Sequence, residues 1–457
     1  MIRKLINNLM PVILIIYTST AFAETAQKLQ ISSSPNPVGS GARALGMGGA
    51  FISIADDATA ASWNPACLIQ LQEPEICFVR ETFYRYENNK FNLETSSGYQ
   101  HTNEQNLNFF SATYPFPFLG HNMAVSINYQ KLYDFNREWK FPVQSNTSRS
   151  IQNSNIHYQQ NGKLSAVGLA YSTEISQSTL PSLITTLSFG ISFNFWLNGI
   201  NNKWEEINNQ QSTGIKGGQF FMSESQYKDE YLLNTSYTVN VGVLFQLVDR
   251  LSLGMNYKTG LRADIEHKSF SKNTTFRNND PDSYSTYLSE EKKLKMPESY
   301  GIGLAYMDKN RKWCVALDLY RTEWHDFVIK NSHDIEISPI TGRNVEQSSI
   351  EDTTQIRLGF EYDYMPKKYQ PHYCFRLGFF YDPLPAPNNN DDIFGVSIGL
   401  GYNTSLFSID TAYQYRSGRN VGSYLIDNMN FSQDIKEHMI YYSCIFYIQP
   451  IIKQLKK

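Results

Sequence analysis

Apolar and polar residues alternate with period two in this chain, over spans longer than most soluble strands. From Tyr237 the apolar face is Tyr237, Val239, Val241, Val243, Phe245 and Leu247, against Thr238, Asn240, Gly242, Leu244 and Gln246. Ile356, Leu358, Phe360, Tyr362 and Tyr364 likewise oppose Gln355, Arg357, Gly359, Glu361 and Asp363. The segments at Leu251 and Tyr300 repeat the pattern. A run of about ten residues with one apolar face is the length of a tilted strand crossing a membrane. Soluble strands are usually nearer five or six residues.

Fourteen such segments are expected: 75–84, 106–114, 122–132, 163–171, 186–197, 236–247, 251–259, 299–307, 313–321, 354–364, 372–381, 394–402, 406–415 and 437–447. Residues 93–101 are assigned to a loop. Long links follow the odd-numbered segments (85–105, 133–162, 198–235, 260–298, 322–353, 382–393, 416–436) and shorter ones the even-numbered segments. Short periplasmic turns and long external loops sort in this way in outer-membrane barrels. The expected fold is therefore all-β, a 14-stranded antiparallel transmembrane barrel with both termini in the periplasm. The long links are rich in Asn, Gln, Ser and Tyr and read as solvated external loops.

The N-terminus supports export. Arg3 and Lys4 precede the apolar run Leu9–Tyr17, and Ala21-Phe22-Ala23 is a small-residue cleavage site. Residues 1–23 read as a signal peptide. No later stretch approaches the roughly 18 apolar residues of a spanning helix. A mean hydropathy of −0.41 with 14% aromatics is compatible with a barrel, because only every second residue meets lipid. A net charge of −3 gives no reason to expect nucleic acid. Five cysteines (67, 77, 314, 374, 444) show no metal-ligand spacing; a Cys67–Cys77 bridge is one reading and packed small apolar residues the other. No H-x-x-x-H pair or nucleophile motif appears, and Gly39-Ser40-Gly41-Ala42-Arg43-Ala44 fits a dinucleotide pattern without a preceding strand. No enzyme activity, cofactor or metal is expected.

The stretch Gly39–Ala66 (GSGARALGMGGAFISIADDATAASWNPA) is rich in Gly and Ala, which suits close packing in a confined space. Its GARALGMGGAF and ADDATAASWNPA phrases resemble the N-terminal hatch of the FadL family of outer-membrane transporters of hydrophobic compounds, and of its PorV-type relatives. Arg376-Leu377-Gly378 with Tyr381-Asp382-Pro383-Leu384-Pro385-Ala386-Pro387 resembles that family's strand end and turn. The resemblance implies a hatch over 24–74 threaded inside a barrel over 75–447, with a periplasmic tail at 448–457. The chain departs from the family phrase at Cys67, where the family has glycine, and in the tail that follows Phe446-Tyr447. The family kinks its third strand to open the wall; here 122–132 alternates cleanly, with no glycine or proline to mark a kink.

By that resemblance the expected function is passive uptake of long-chain fatty acids or similar hydrophobic molecules through a lumen pocket gated by the hatch. The chain would contact outer-membrane lipid and act as a monomer. The alternative is a PorV-like docking platform in protein secretion or surface attachment. Arg357, Arg376 and Gln355 are the candidate ligand contacts, since guanidinium groups clamp carboxylates. A structural alternative pairs the arginines with Glu361, Asp363, Asp56 or Asp57. The hatch and gating candidates are Gly46, Gly48, Gly49, Asp56, Asp57, Asn64, Pro65 and Ala66, with Asn64-Pro65-Ala66 read as a turn locking the hatch to the wall.

Overall fold

The structure, a computed structural model, describes residues 39–449 apart from 92–98, 148–149, 176–179, 201, 217, 248–249, 278–279, 366–370 and 427–429. The expected signal peptide, hatch residues 24–38 and tail beyond residue 449 lie outside the described residues.

Twenty-two strands are numbered here in chain order. Fourteen build the wall: β1 (Glu75–Lys90), β2 (Tyr99–Phe118), β3 (His121–Asp134), β5 (Ser150–Glu174), β6 (Ile184–Trp196), β9 (Ser236–Leu247), β10 (Leu251–Lys258), β13 (Ser299–Met307), β14 (Trp313–Thr322), β18 (Thr353–Tyr364), β19 (His372–Tyr381), β20 (Ile393–Asn403), β21 (Phe407–Val421) and β22 (Ser432–Tyr447). Each is antiparallel to the next, and β22 closes on β1 from Glu75↔Tyr447 to Lys90↔Ser432. Closure leaves no open edge within the ring, as a hydrocarbon surround requires. All fourteen segments expected from alternation coincide with these strands, three of them (186–197, 251–259 and 406–415) overrunning by one residue at an end. Their faces also fall as expected: Leu358, Phe360, Leu377 and Phe379 are exposed on the outside, while Gln355, Arg357 and Arg376 are buried inside.

The external loops differ from expectation. Those over 133–162, 198–235 and 260–298 are not irregular. They contain β4 (Arg137–Thr147), β7 (Lys203–Lys216), β8 (Gln219–Leu233), β11 (Arg262–Arg277) and β12 (Asp280–Lys295), and β5 runs on to pair with β4 and β7. The small strands β15 (Val328–Lys330), β16 (Glu336–Ser338) and β17 (Arg343–Asn344) follow. Of the rejected strand over 93–101, residues 99–101 begin β2 and the rest lies in a stretch that is not described. The physical reason is that these ribbons stand above the lipid. Neither face needs to be apolar, so residues such as Gln210, Gln211 and Ser212 carry no period-two hydrophobic signal.

Inside the external half lies an apolar core that includes Tyr133, Phe135, Trp196, Trp204, Leu261, Trp324 and Phe327. Below it, residues 39–71 fill the barrel. Met47, Ala50, Phe51, Ile52, Ala55, Trp63, Ala66 and Leu68 are all buried. All five cysteines are free thiols, so the suggested Cys67–Cys77 bridge does not form.

Candidate functional site

The inner segment is held by wall glycines. Gly190 and Gly242 face one another across β6 and β9, Gly254 and Gly303 across β10 and β13, and Gly359 and Gly378 across β18 and β19. A methyl group on Gly190 would overlap Pro65 and Ala66, one on Gly242 would overlap the Asn64 side chain, and one on Gly378 would overlap Gly48. Gly399 on β20 lies against Gly46. Side chains are missing from the wall where the backbone of the inner segment must pass. On the segment's own side, Gly48 and Gly49 take φ of 67° and 77°, the left-handed region that other residues enter at a cost.

Hydrogen bonds then tie the segment to nine wall strands. The Asp318 carboxylate on β14 accepts from the backbone N–H of Phe51 (2.6 Å) and Ile52 (2.8 Å). Glu75 on β1 accepts from Ala58 N–H (2.8 Å), and Ser443 Oγ on β22 accepts from Ala42 N–H (2.7 Å). Ser111, Ser188 and Ser397 donate to the carbonyls of Ala58, Ala66 and Gly46. Asn256 and Lys258 on β10 donate to Trp63 and Ser62 carbonyls. Asn64 Nδ2 donates to the Val243 carbonyl on β9 (3.1 Å) while its Oδ1 accepts from Ala66 N–H (3.1 Å). Where a turn was expected, Asn64 caps a short 3-10 helix that begins at Pro65, and this helix start is seated on β6 and β9. Arg357 on β18 donates to the Gly48 carbonyl (2.8 Å).

The charges form separate groups. Arg376 meets Glu361 and Asp410, each at 2.6 Å. Glu361 also accepts from Arg43 (2.9 Å), which pairs with Asp56 and lies 3.9 Å from Asp57. Burial pushes the Asp57 carboxyl above its ordinary range, against the opposing pull of Arg43. Arg357 faces Asp382 (3.5 Å), and Gln355 donates to the same carboxylate (2.6 Å). The register puts Arg357 opposite Phe380 and Arg376 opposite Glu361, four residues apart along the strands, or about 13 Å. The structure does not bring Arg357 and Arg376 together at one point. Of the anticipated partners, Glu361 is correct for Arg376; Asp382 and Asp410 were not anticipated. Asp56 and Asp57 face Arg43 of their own segment.

Two cavities share Leu132. One, of about 80 Å³, lies beside the inner segment and is lined by Leu45, Trp63, Phe83, Leu132 and Met439 together with Lys131, Arg357 and Asp382. The other, of about 50 Å³, borders the external core through Tyr133, Trp196, Leu261 and Pro297. Here β3 departs from regularity. Its pairing with β5 is continuous from Met123 to Lys131 and shifts between Lys131 and Tyr133. No break occurs over 123–131, in line with the clean alternation there. A third recess, about 650 Å³, lies against the wall between β1, β2, β3, β5 and β6, lined by Ile76, Tyr114, Val125, Ile127, Leu169 and Phe193 among others.

The profile of the family described as "Outer membrane protein transport protein (OMPP1/FadL/TodX)" matches residues 15–430, most of the chain. The chain belongs to this family. It is a FadL/TodX-type barrel of the outer membrane. The solved FadL homologue of Pseudomonas aeruginosa aligns at 14% identity and TM-score 0.56, over 90% of this chain and 99% of that one. The toluene transporter TodX of Pseudomonas putida aligns at 16% and 0.54, over 90% and 98%. The CymD monoaromatic hydrocarbon channel aligns at 14% and 0.51, over 90% and 98%. At these identities the likeness is one of fold. No curated protein matches the chain.

The sequence alone pointed to the inner segment and to the inward-facing positions of both arginines, but not to Asp318, the wall serines or the paired glycines. The glycines carried a signal, since isolated glycines within strands mark close backbone approach. Gly242, Gly254, Gly303 and Gly359 stood on the non-lipid faces of their segments.

Proposed function

We propose that this FadL/TodX-family barrel passes small, neutral hydrophobic molecules across the outer membrane, with the inner segment as its gate. The observation that carries this reading is that the buried basic side chains are already matched. Arg85, Arg137, Arg357, Arg376 and Arg416, and Lys131 and Lys292, are buried, and each meets a carboxylate. A fatty-acid head group would have to displace one of these partners. A neutral solute would not, and it gains free energy wherever its apolar surface leaves water. The cavities beside Leu132 are small and partly apolar, which favours a compact molecule over an extended acyl chain. The names of the solved neighbours, which speak of toluene and monoaromatic hydrocarbons, agree with that class.

Gating follows from the same geometry. The segment fills the lumen, so passage requires it to move, and Asp318, Arg357 and Asn64 are among the wall contacts that such a movement would break. The irregular stretch of β3 at Leu132, between the two small cavities, is the place for a solute to slip from the external core toward the segment.

One observation favours the docking alternative. Among the described residues, Asp280–Lys292 of β12 pairs only with β11, and its Tyr284, Tyr287 and Leu288 are exposed, so its outer edge offers backbone groups to a partner. Uptake separates the readings. Cells expressing the barrel should take up labelled toluene faster than cells without it, with little gain for labelled palmitate. Equal gains for both would overturn the restriction to neutral solutes; no gain for either would leave docking as the function.

A further inference from the structure

At the end of the barrel carrying the short turns, β18 and β19 place three different metal-ligating side chains together. Asp363 pairs directly with Cys374 across the two strands, and His372 precedes Cys374 by two residues on the same face. Their ligand atoms all lie within 4.8 Å of one another. Cys374 is buried, its thiol donates to Asp363 Oδ1 at 2.6 Å, and Asn403 on β20 donates to its sulfur at 3.1 Å. His372 Nδ1 is shut off from solvent and has no hydrogen-bond partner among the described residues. An imidazole nitrogen hidden in this way ordinarily has a partner.

We propose that Asp363, His372 and Cys374 bind a thiophilic divalent cation of the zinc type. The inference is independent of what the channel transports. One thiolate, one imidazole and one carboxylate are the donors that Zn²⁺ takes, and three protein ligands leave a fourth position for water. Tetrahedral coordination at about 2.0–2.3 Å sets ligand atoms roughly 3.5 Å apart, within reach of small side-chain rotations here. The cation replaces the thiol proton, which leaves to solvent, so a metal–sulfur bond forms as the S–H bond breaks. Asn403 then donates to the thiolate as an outer-shell partner. Asp363, Cys374 and Asn403 border a polar cavity of about 220 Å³, a route for a hydrated ion. The Arg376 guanidinium nearby is neutralised by Glu361 and Asp410 and does not oppose a cation.

The test is titration of the reduced full-length barrel in detergent with Co²⁺. One equivalent should give the near-ultraviolet charge-transfer band of a cobalt–thiolate bond. Cys374→Ser should abolish that band, Cys77→Ser should leave it, and His372→Gln should weaken binding at least about tenfold, since even outer-shell losses cost that much. Absence of the band in the unaltered protein, or its survival in Cys374→Ser, would overturn the proposal. If Cys374→Ser fails to fold, X-ray absorption on the zinc-loaded unaltered protein decides. One sulfur at about 2.3 Å supports the site, and a shell of oxygen and nitrogen alone refutes it.

Discussion

Gly378 on β19 and Gly48 of the inner segment approach so closely that a methyl group built on Gly378 would overlap the Gly48 backbone nitrogen. This pair, with Gly359 beside it, makes the seat of the segment a property of the wall as much as of the segment itself.

Gly378→Ala should therefore unseat the segment without preventing the barrel from forming. Overpacking of this kind costs about 1–3 kcal/mol, and moving the segment is cheaper than breaking a ladder of strand hydrogen bonds. Planar-bilayer recordings should show higher ionic conductance than the unaltered protein, and a silent variant would show that the lumen closes by other means.

Asp318 is the firmest anchor, since one carboxylate oxygen receives two backbone N–H groups. Asp318→Ala would leave both buried donors unmatched, at about 1–3 kcal/mol each. Hydrogen exchange at Phe51 and Ile52 should accelerate at least about tenfold while exchange in β18 and β19 stays slow. Unchanged exchange at the two amides would assign the anchoring elsewhere.

Arg376→Gln should destabilise the barrel rather than alter ligand choice. It strands Asp410 and leaves Glu361 with Arg43 alone, and removing one partner of a buried ion pair costs roughly 3–5 kcal/mol. The urea midpoint, followed by the mobility difference between unheated and boiled samples, should fall markedly. Arg376→Gln with Asp410→Asn should recover part of the loss. A midpoint equal to that of the unaltered protein would refute this account.

These outcomes turn on residues that were unequally legible. Wall strands announced themselves because one face must be apolar in lipid. The Gly/Ala-rich composition of 39–66 announced a segment needing confinement. Pairing partners did not, because register across the barrel is a long-range property. Nothing local distinguishes Asp318 from Asp363, yet one holds the segment and the other faces Cys374. The outer ribbons were illegible for the opposite reason, since water on both faces removes the constraint that alternation records.

Topology gives a further test. Gly218 joins β7 to β8 with nothing packed against it, whereas Lys309 lies in the short turn between β13 and β14. An epitope inserted at Gly218 should be labelled by antibody on intact cells, and one at Lys309 only after the outer membrane is permeabilised. The reverse labelling would invert the barrel.

The external loop should respond to pH through His325. Its Nδ1 bonds Asp352 (2.8 Å), with Glu323 and Asp326 nearby, and this hydrogen bond raises its pKa above the ordinary imidazole value. A raised folded-state pKa means the contribution is complete below the unfolded value of about 6.5 and is lost as pH rises through the folded one. Limited proteolysis within 323–352 should quicken over that rise, and His325→Gln should remove the dependence. Cleavage indifferent to pH in the unaltered protein would dismiss His325 as the switch.

The seam between β22 and β1 carries a consequence for biogenesis. Ser443 on β22 binds Ala42 and Glu75 on β1 binds Ala58, so both strands that close the ring are tied to the same segment. That segment also touches strands all round the circumference, through bonds to nine of them. Closing the ring and seating the segment are therefore coupled: the first and last strands meet over a single stretch of chain that both of them hold.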